Sequence, residues 1–307
     1  TTLAALGFTS SAADPSLFLR TDTSLLSFYV LVYVDDLVYA TAHTEALTLV
    51  KSQLQKRHTC TDLGELRSYL DLQITQHRAR RTITRTQSHM VHQVLQRFDF
   101  QFSSPQPTPL STGHSLSAPP SDESVEPSGP YPELVGCLMY LMTCTRPDLA
   151  YPLSFLARYV TLGRHRKVHW DAAKRVLRYL CSTSSMGLVL GGRGPIVLTG
   201  HAIASWVDDL ATQQSSQGYT FSLVLYVDNK AMIILCQEHR LEHRTKHIAL
   251  RYFLARELQQ RGQLRLAYVA SQANTADIFT KALLPGDHQR FSTVLGLVPT
   301  LPHLLTA

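Results

Sequence analysis

The stretch Phe28-Tyr29-Val30-Leu31-Val32-Tyr33-Val34-Asp35-Asp36-Leu37-Val38-Tyr39 decides the fold of the first part of the chain. Its first seven residues are β-branched, aromatic or aliphatic, which is typical of a buried strand. Residues 37–39 predict a second, short strand. Because only Asp35 and Asp36 separate the two, the sequence predicts a tight hairpin that carries two carboxylates at its tip.

Two adjacent carboxylates at a turn repel each other, and partial desolvation adds to the cost. A hard divalent cation relieves both effects, since Mg²⁺ takes carboxylate oxygens together with substrate phosphates. Two such ions in a nucleotidyl transferase stabilise the attacking and the leaving oxygens. An ordinary hairpin explains the same residues equally well, because Asp tolerates turn geometry. The local pattern leaves both interpretations open.

The composition excludes several classes of protein. The chain has 307 residues, of which 44% are hydrophobic and 17% charged, so it is too apolar for general disorder. Its longest apolar run is far shorter than the ~20 residues that span a bilayer. Five cysteines without a C-x-x-C motif argue against a disulfide framework and for an intracellular compartment, either cytoplasm or nucleus. The net charge of +6 permits a nucleic-acid partner without proving one.

The segment after the hairpin alternates helical and extended patterns. Apolar residues recur at helical spacing from Thr44 and again over residues 88–98, and residues 70–84 alternate as a second hairpin. Residues 103–130 contain 7 Pro and 8 Ser. That composition predicts an extended, mobile linker.

Helices and strands are also predicted beyond the linker. Three helical segments cover residues 133–143, 147–159 and 169–180, and Pro152 is expected to kink the second of them. Strands are predicted at residues 196–198, 223–227 and 264–269, and helices at 229–237 and 246–261.

The hairpin tip Tyr33-Val34-Asp35-Asp36 resembles the YxDD box of reverse transcriptases. Its surroundings are similar to the copia-type (Ty1/copia) retrotransposon polyprotein. One matching block is Thr145-Arg146-Pro147-Asp148-Leu149-Ala150-Tyr151. The other blocks occur in the family's order over nearly the whole chain, at residues 6–8, 13–18, 63–66, 131–136, 138–141, 169–180, 244–248 and 276–281.

The resemblance implies an α/β (α+β) chain with four parts. These are a partial reverse-transcriptase palm and thumb over residues 1–102, the linker 103–130, a helical connection over 131–190 and a ribonuclease H-like domain with an internal deletion over 191–307. The implied parent activity is RNA-directed DNA synthesis with hydrolysis of the RNA strand of the hybrid. The first residue is Thr1 rather than Met, so we expect a fragment of a longer protein.

The resemblance also implies which carboxylates would bind Mg²⁺, or Mn²⁺ in its place. Asp35 and Asp36 match the paired metal ligands of the palm, whose third carboxylate belongs to an upstream strand that this sequence does not contain. Asp228 and Asp277 match the third and fourth acidic residues of ribonuclease H. Ile203 occupies the first acidic position, where an aliphatic side chain cannot bind a metal ion.

The spacing between the ribonuclease H positions predicts a deletion. Asp228 follows Ile203 by only 25 positions, whereas the fold places two more strands and a helix there. At ~5–6 residues per strand and ~11 per helix, these elements do not fit. The helix that carries the second acidic residue is therefore predicted to be missing.

Basic residues form two groups. A solvated helix face explains each group, and the resemblance favours contact with phosphates of a duplex or an RNA–DNA hybrid. His239, His243 and His247 have a spacing that could suggest a metal site, but zinc would need a fourth ligand and none is apparent. The candidate nucleic-acid contacts are Arg164, Arg166, Lys167, Lys174, Arg175, Arg178, Arg244, Lys246, His247 and Arg251.

The sequence thus predicts part of a retrotransposon polymerase and ribonuclease H that is inactive as this chain alone. The alternative is a non-catalytic remnant that binds nucleic acid. The missing parts of the polyprotein are possible partners, and no membrane is expected.

Overall fold

The computed structural model describes residues 2–21, 27–113, 129–161, 165–192, 199–204, 217–220, 224–227 and 265–300. The chain divides into two compact units, of which the first comprises residues 1–67 and the second residues 68–307. The boundary lies inside the segment 1–102 that the resemblance assigns to palm and thumb.

The first unit contains an antiparallel four-stranded sheet in the order β1-β2-β3-β4. The strands are β1 (Thr9–Ser10), β2 (Leu17–Thr21), β3 (Ser27–Tyr33) and β4 (Asp36–Thr41). Helix α1 (Thr2–Ala5) precedes the sheet and α2 (Thr44–Gln55) follows it.

The period of two in β3 sends alternate side chains to opposite faces of this sheet. Phe28 and Val30 are buried, and they form one core with Val50 and Leu54 of α2. The rings of Phe8 and Phe28 meet edge to face with centroids 5.2 Å apart. This core holds the hairpin predicted from residues 28–39, which the structure confirms.

The described residues of the second unit form two sheets. An antiparallel sheet has the order β13-β8-β7-β6-β5, and a mixed sheet has the order β10-β9-β11-β12. The strands are β5 (Ser68–Tyr69), β6 (Leu72–His77), β7 (Thr82–Thr86), β8 (Met186–Gly191), β9 (Thr199–Ala204), β10 (Gln217–Thr220), β11 (Val224–Val227), β12 (Arg265–Tyr268) and β13 (Leu297–Pro299).

Helices supply the main core of the second unit. They are α3 (Ser88–Arg97), α4 (Tyr131–Cys144), α5 (Ala150–Thr161), α6 (Lys167–Ser182) and α7 (Pro285–Val294), with short 3-10 helices at Arg78–Arg80, Pro147–Leu149, Ser271–Ala273 and Thr275–Phe279. Leucines from α4, α5 and α6 are fully buried in one cluster. In the described part of the chain, no helix is long and apolar enough to cross a membrane.

The described helices confirm the predicted ones, with one correction. The predicted helix 147–159 is divided into the 3-10 helix Pro147–Leu149 and α5, which begins at Ala150, and the kink at Pro152 stays a prediction. Pro152 therefore lies in the first turn, where its missing N–H costs no intrahelical hydrogen bond. The strand predicted at 196–198 and the helices predicted at 229–237 and 246–261 lie outside the described residues.

The first part of the Pro- and Ser-rich segment packs against α6. The backbone N–H of Gln106 donates to the carbonyl of Arg178, and Leu110 is buried in the helical core. Thr108 is buried as well and donates to the carbonyl of Leu110. Composition alone predicts a mobile linker here, because it contains no information about these tertiary contacts.

Candidate functional site

The hairpin between β3 and β4 presents the paired carboxylates. Tyr33 pairs directly with Asp36, so Val34 and Asp35 form a two-residue turn. Val34 has φ = +50°, which a β-branched residue rarely adopts. Val34 is 82% exposed, and Asp35 and Asp36 are exposed as well. The tip is therefore open to an ion or a substrate.

The donor chemistry of the tip suits Mg²⁺, which prefers carboxylate oxygens at octahedral geometry. Asp35 and Asp36 supply two such groups. Across the residues that the structure describes, no group of three or more His, Cys, Asp or Glu side chains could hold a metal ion. The hairpin thus offers the type of ligand that Mg²⁺ prefers, but its two carboxylates are only part of a complete ligand set.

The candidate ligand Asp277 lies in the 3-10 helix Thr275–Phe279 and is buried. Its Oδ2 accepts a hydrogen bond from Nζ of Lys281 at 3.0 Å. Asn274, the N-cap of this 3-10 helix, donates from Nδ2 to the carbonyl of Ala202 in β9 at 3.1 Å. The segment of Asp277 is therefore fixed beside the strand that carries Ile203.

The end of β11 lies beside the same part of β9. Val227 is the last residue of β11 and pairs in parallel with Ala202. Asp228 follows directly in the sequence but lies outside the described residues, as do His239 and His243. Ile203 is described by its backbone alone, which pairs with Gly218 of β10. The turn that carries Asp277 and the last residue of β11 thus both lie beside Ala202 of β9.

The described basic residues differ in their surroundings. Arg175 is engaged within the unit, because its guanidinium donates to Oε1 of Gln106 at 2.7 Å and to Oγ1 of Thr108 at 3.1 Å. Burial, and then the charge of Arg178, lower the pKa of Arg175. Lys174 forms an ion pair with Asp171.

Other cations of α6 face solvent. Lys167 and Arg178 are exposed, whereas Arg166 precedes the helix and donates its backbone N–H to Nδ1 of the buried His169 at 2.9 Å. The remaining predicted contacts lie outside the described residues; these are Arg164, Arg244, Lys246, His247 and Arg251.

The sequence did not reveal a buried polar network in the second unit. The guanidinium of Arg146 donates from Nε to Oδ1 of Asp148 at 3.0 Å and from Nη2 to Oδ2 at 2.8 Å. Arg146 also donates to the carbonyl and Oγ1 of Thr183, and the hydroxyl of Tyr179 donates to Asp148 at 2.7 Å. The sequence feature that could have indicated this network is the oppositely charged pair Arg146 and Asp148, two residues apart between two apolar helical segments.

This network shifts the ionisation of its members. Burial opposes charge on both partners, but the attraction and hydrogen bonds between them win, so the pKa of Arg146 is raised and that of Asp148 is lowered. Burial raises the pKa of Tyr179 well above its usual value. The ring of His288 packs edge to face on Tyr179, and burial lowers the pKa of His288 although Asp148 opposes the shift.

Comparison with known proteins identifies the first part of the chain. Residues 1–112 match the family described as reverse transcriptase (RNA-dependent DNA polymerase). The chain is a relative of copia-type retrotransposon Pol polyproteins. It is 27% identical to the retrovirus-related Pol polyprotein from transposon TNT 1-94 of Nicotiana tabacum, over 93% of this chain and 26% of that protein.

Two further relatives also carry names of transposon proteins. The chain is 28% identical to the Pol polyprotein from transposon RE2 of Arabidopsis thaliana, over 98% of this chain and 24% of that protein. It is 32% identical to the putative transposon Ty5-1 protein YCL074W of Saccharomyces cerevisiae, over 66% of this chain and 65% of that protein. The chain spans about a quarter of the two plant Pol polyproteins that it matches. No solved structure matches the chain significantly.

Proposed function

We propose that this chain is part of a retrotransposon RNA-directed DNA polymerase and ribonuclease H that has neither activity by itself. The observation that carries the proposal is the exposed hairpin tip with Asp35 and Asp36, inside the segment that matches the reverse transcriptase family. In the described part of the chain, this pair has no third metal ligand beside it. Bound Mg²⁺ would stabilise the attacking and leaving oxygens of nucleotidyl transfer.

The chain is shorter than the span over which it aligns with its plant relatives. The alignments with the two plant Pol polyproteins extend over 341 and 355 positions, more than the 307 residues of the chain. The relatives therefore contain positions within the aligned span that this chain lacks. A deletion between Ile203 and Asp228 agrees with the sheet order, in which β9 lies between β10 and β11, while only residues 221–223 separate β10 from β11 in the sequence.

Binding of nucleic acid without catalysis is the second candidate function. The exposed cations Lys167 and Arg178 on α6 favour it, because exposed Lys and Arg are free to replace counterions along a phosphate backbone. Such binding needs neither a complete metal site at the hairpin nor the carboxylate that the ribonuclease H fold carries at its second acidic position.

Primer extension tests the first candidate. The purified chain is incubated with a primed RNA or DNA template and Mg²⁺ or Mn²⁺, beside an active reverse transcriptase as positive control. We expect no extension. Template-dependent extension that Asp35→Asn abolishes would show that the metal site is complete.

Hydrolysis of a labelled RNA–DNA hybrid tests the ribonuclease H part. We expect background cleavage from the chain and also from Ile203→Asp, because one restored carboxylate leaves the second position vacant. Clear cleavage by Ile203→Asp alone would contradict the proposed deletion.

A further inference from the structure

The turn that follows α3 is held in one conformation by backbone contacts. Asp99 has φ = +60°, and its N–H donates to the carbonyl of Gln96 at 3.2 Å. The N–H of Phe100 donates to the carbonyl of Leu95 at 2.8 Å. The N–H and hydroxyl of Ser103 both donate to the carbonyl of Phe100, at 3.1 and 2.9 Å.

Helix α6 fixes the same turn from its other side. The thiol of Cys181 lies 3.6 Å from the carbonyl oxygen of Gln101 and 3.7 Å from that of Ser103. Phe102 stands between these two anchored residues, yet it is 93% exposed. An aromatic ring is thus presented to solvent from a preformed backbone, which lowers the entropic cost of binding through it.

A cation lies beside the same turn. Arg178 precedes Cys181 by three residues, so the two share one face of α6. Its guanidinium carbon lies 5.9 Å from the centroid of Phe100, and the side chain is exposed. The turn also contains the exposed Asp99, so the local charge is not uniformly basic.

We propose that Phe102 and Arg178 form a contact for single-stranded nucleic acid, in which an unpaired base stacks on Phe102 and a neighbouring phosphate binds Arg178. The inference rests on the proposed nucleic-acid binding and names the form of the ligand. Bases within a duplex already stack on one another, so an exposed ring gains a partner only from an unpaired base. The basic side chain supplies the matching charge for the phosphate.

The test uses the full chain and three labelled probes, namely an oligodeoxythymidine single strand, a DNA duplex and an RNA–DNA hybrid. Phe102→Ala should weaken single-strand binding roughly tenfold and leave duplex and hybrid binding unchanged, whereas Phe102→Trp should keep all three. Leu63→Ala is the matched control, because it also removes an apolar side chain that is 87% exposed. A 2-aminopurine base in the single strand reports stacking directly by fluorescence quenching.

The outcomes separate the two proposals. Loss of single-strand affinity and of quenching in Phe102→Ala, with duplex binding intact, supports the contact. Unchanged single-strand affinity in Phe102→Ala overturns it while leaving nucleic-acid binding in place. Absence of binding to every probe overturns the proposed binding itself, and this contact with it.

Discussion

Arg146 and Asp148 form a bidentate pair in which both side chains are almost fully buried. The two residues are only two positions apart, yet the pair joins the 3-10 helix before α5 to the end of α6 through Thr183 and Tyr179. A buried pair of this kind fixes how helices meet, since each charge is costly without the other.

Removing the cation of this pair should therefore destabilise the second unit strongly. We expect Arg146→Met to lower the free energy of unfolding by about 3–5 kcal/mol, because Asp148 is left buried and uncompensated. The exposed pair of Lys174 and Asp171 provides the control, and Lys174→Met should cost at most about 1 kcal/mol. Urea unfolding followed by tryptophan fluorescence measures both. Equal costs would contradict the role given to the buried pair.

Stability of the second unit should fall on mild acidification. Burial lowers the pKa of His288 in the folded state, so the unfolded chain, with a histidine pKa of about 6.5, binds the proton more tightly. The free energy of unfolding should then decrease as pH drops below about 6.5, by at most ~1.4 kcal/mol per pH unit from this residue. Denaturation at pH 7.5 and pH 5 tests this. His288→Gln should flatten the slope, although His201, whose pKa burial also lowers, retains some of it.

The hairpin turn should tolerate glycine at Val34. Glycine adopts φ = +50° without the strain that valine bears, and this gain offsets the flexibility added to the unfolded chain. We expect Val34→Gly to change local stability by less than about 1 kcal/mol, or to raise it. Val32→Gly is the matched control within β3, and it should destabilise by at least about 1 kcal/mol. Hydrogen exchange of the β3 and β4 amides measures both, and an equal loss of protection would refute the prediction.

Two neighbouring arginines of α6 should differ in their effect on nucleic-acid binding. With a DNA duplex, Arg178→Ala should reduce the slope of log affinity against log salt by about 0.9, as expected for one lost phosphate contact. Arg175→Ala should leave the slope unchanged and reduce stability instead, because its guanidinium holds Gln106 and Thr108. A duplex titration over several salt concentrations checks this. A larger slope change in Arg175→Ala would reverse the assignment.

Local patterns predicted the elements that depend on local chemistry. The apolar run before Asp35 predicted the hairpin, and the spacing of leucines in α4 and α6 predicted the helices. In each case the spacing of apolar residues along the sequence indicates which face of the element is buried. The same reasoning missed β8 and β13, whose pairing depends on residues far apart in sequence. It also missed the partners of Arg146, since Tyr179 and Thr183 lie more than thirty residues away.

Two paired strands of the five-stranded sheet, β8 and β13, lie far apart in the sequence, which has a consequence for synthesis on the ribosome. The N–H of Thr300 donates to the carbonyl of Ser185 at 2.8 Å, across 115 residues, just beyond the pairing of β13 with β8. On the ribosome, β8 emerges before β13, so one edge of β8 stays unpaired until β13 has been synthesised. An uncovered edge recruits foreign strands, so a nascent chain paused between the two strands would be the form most prone to aggregate.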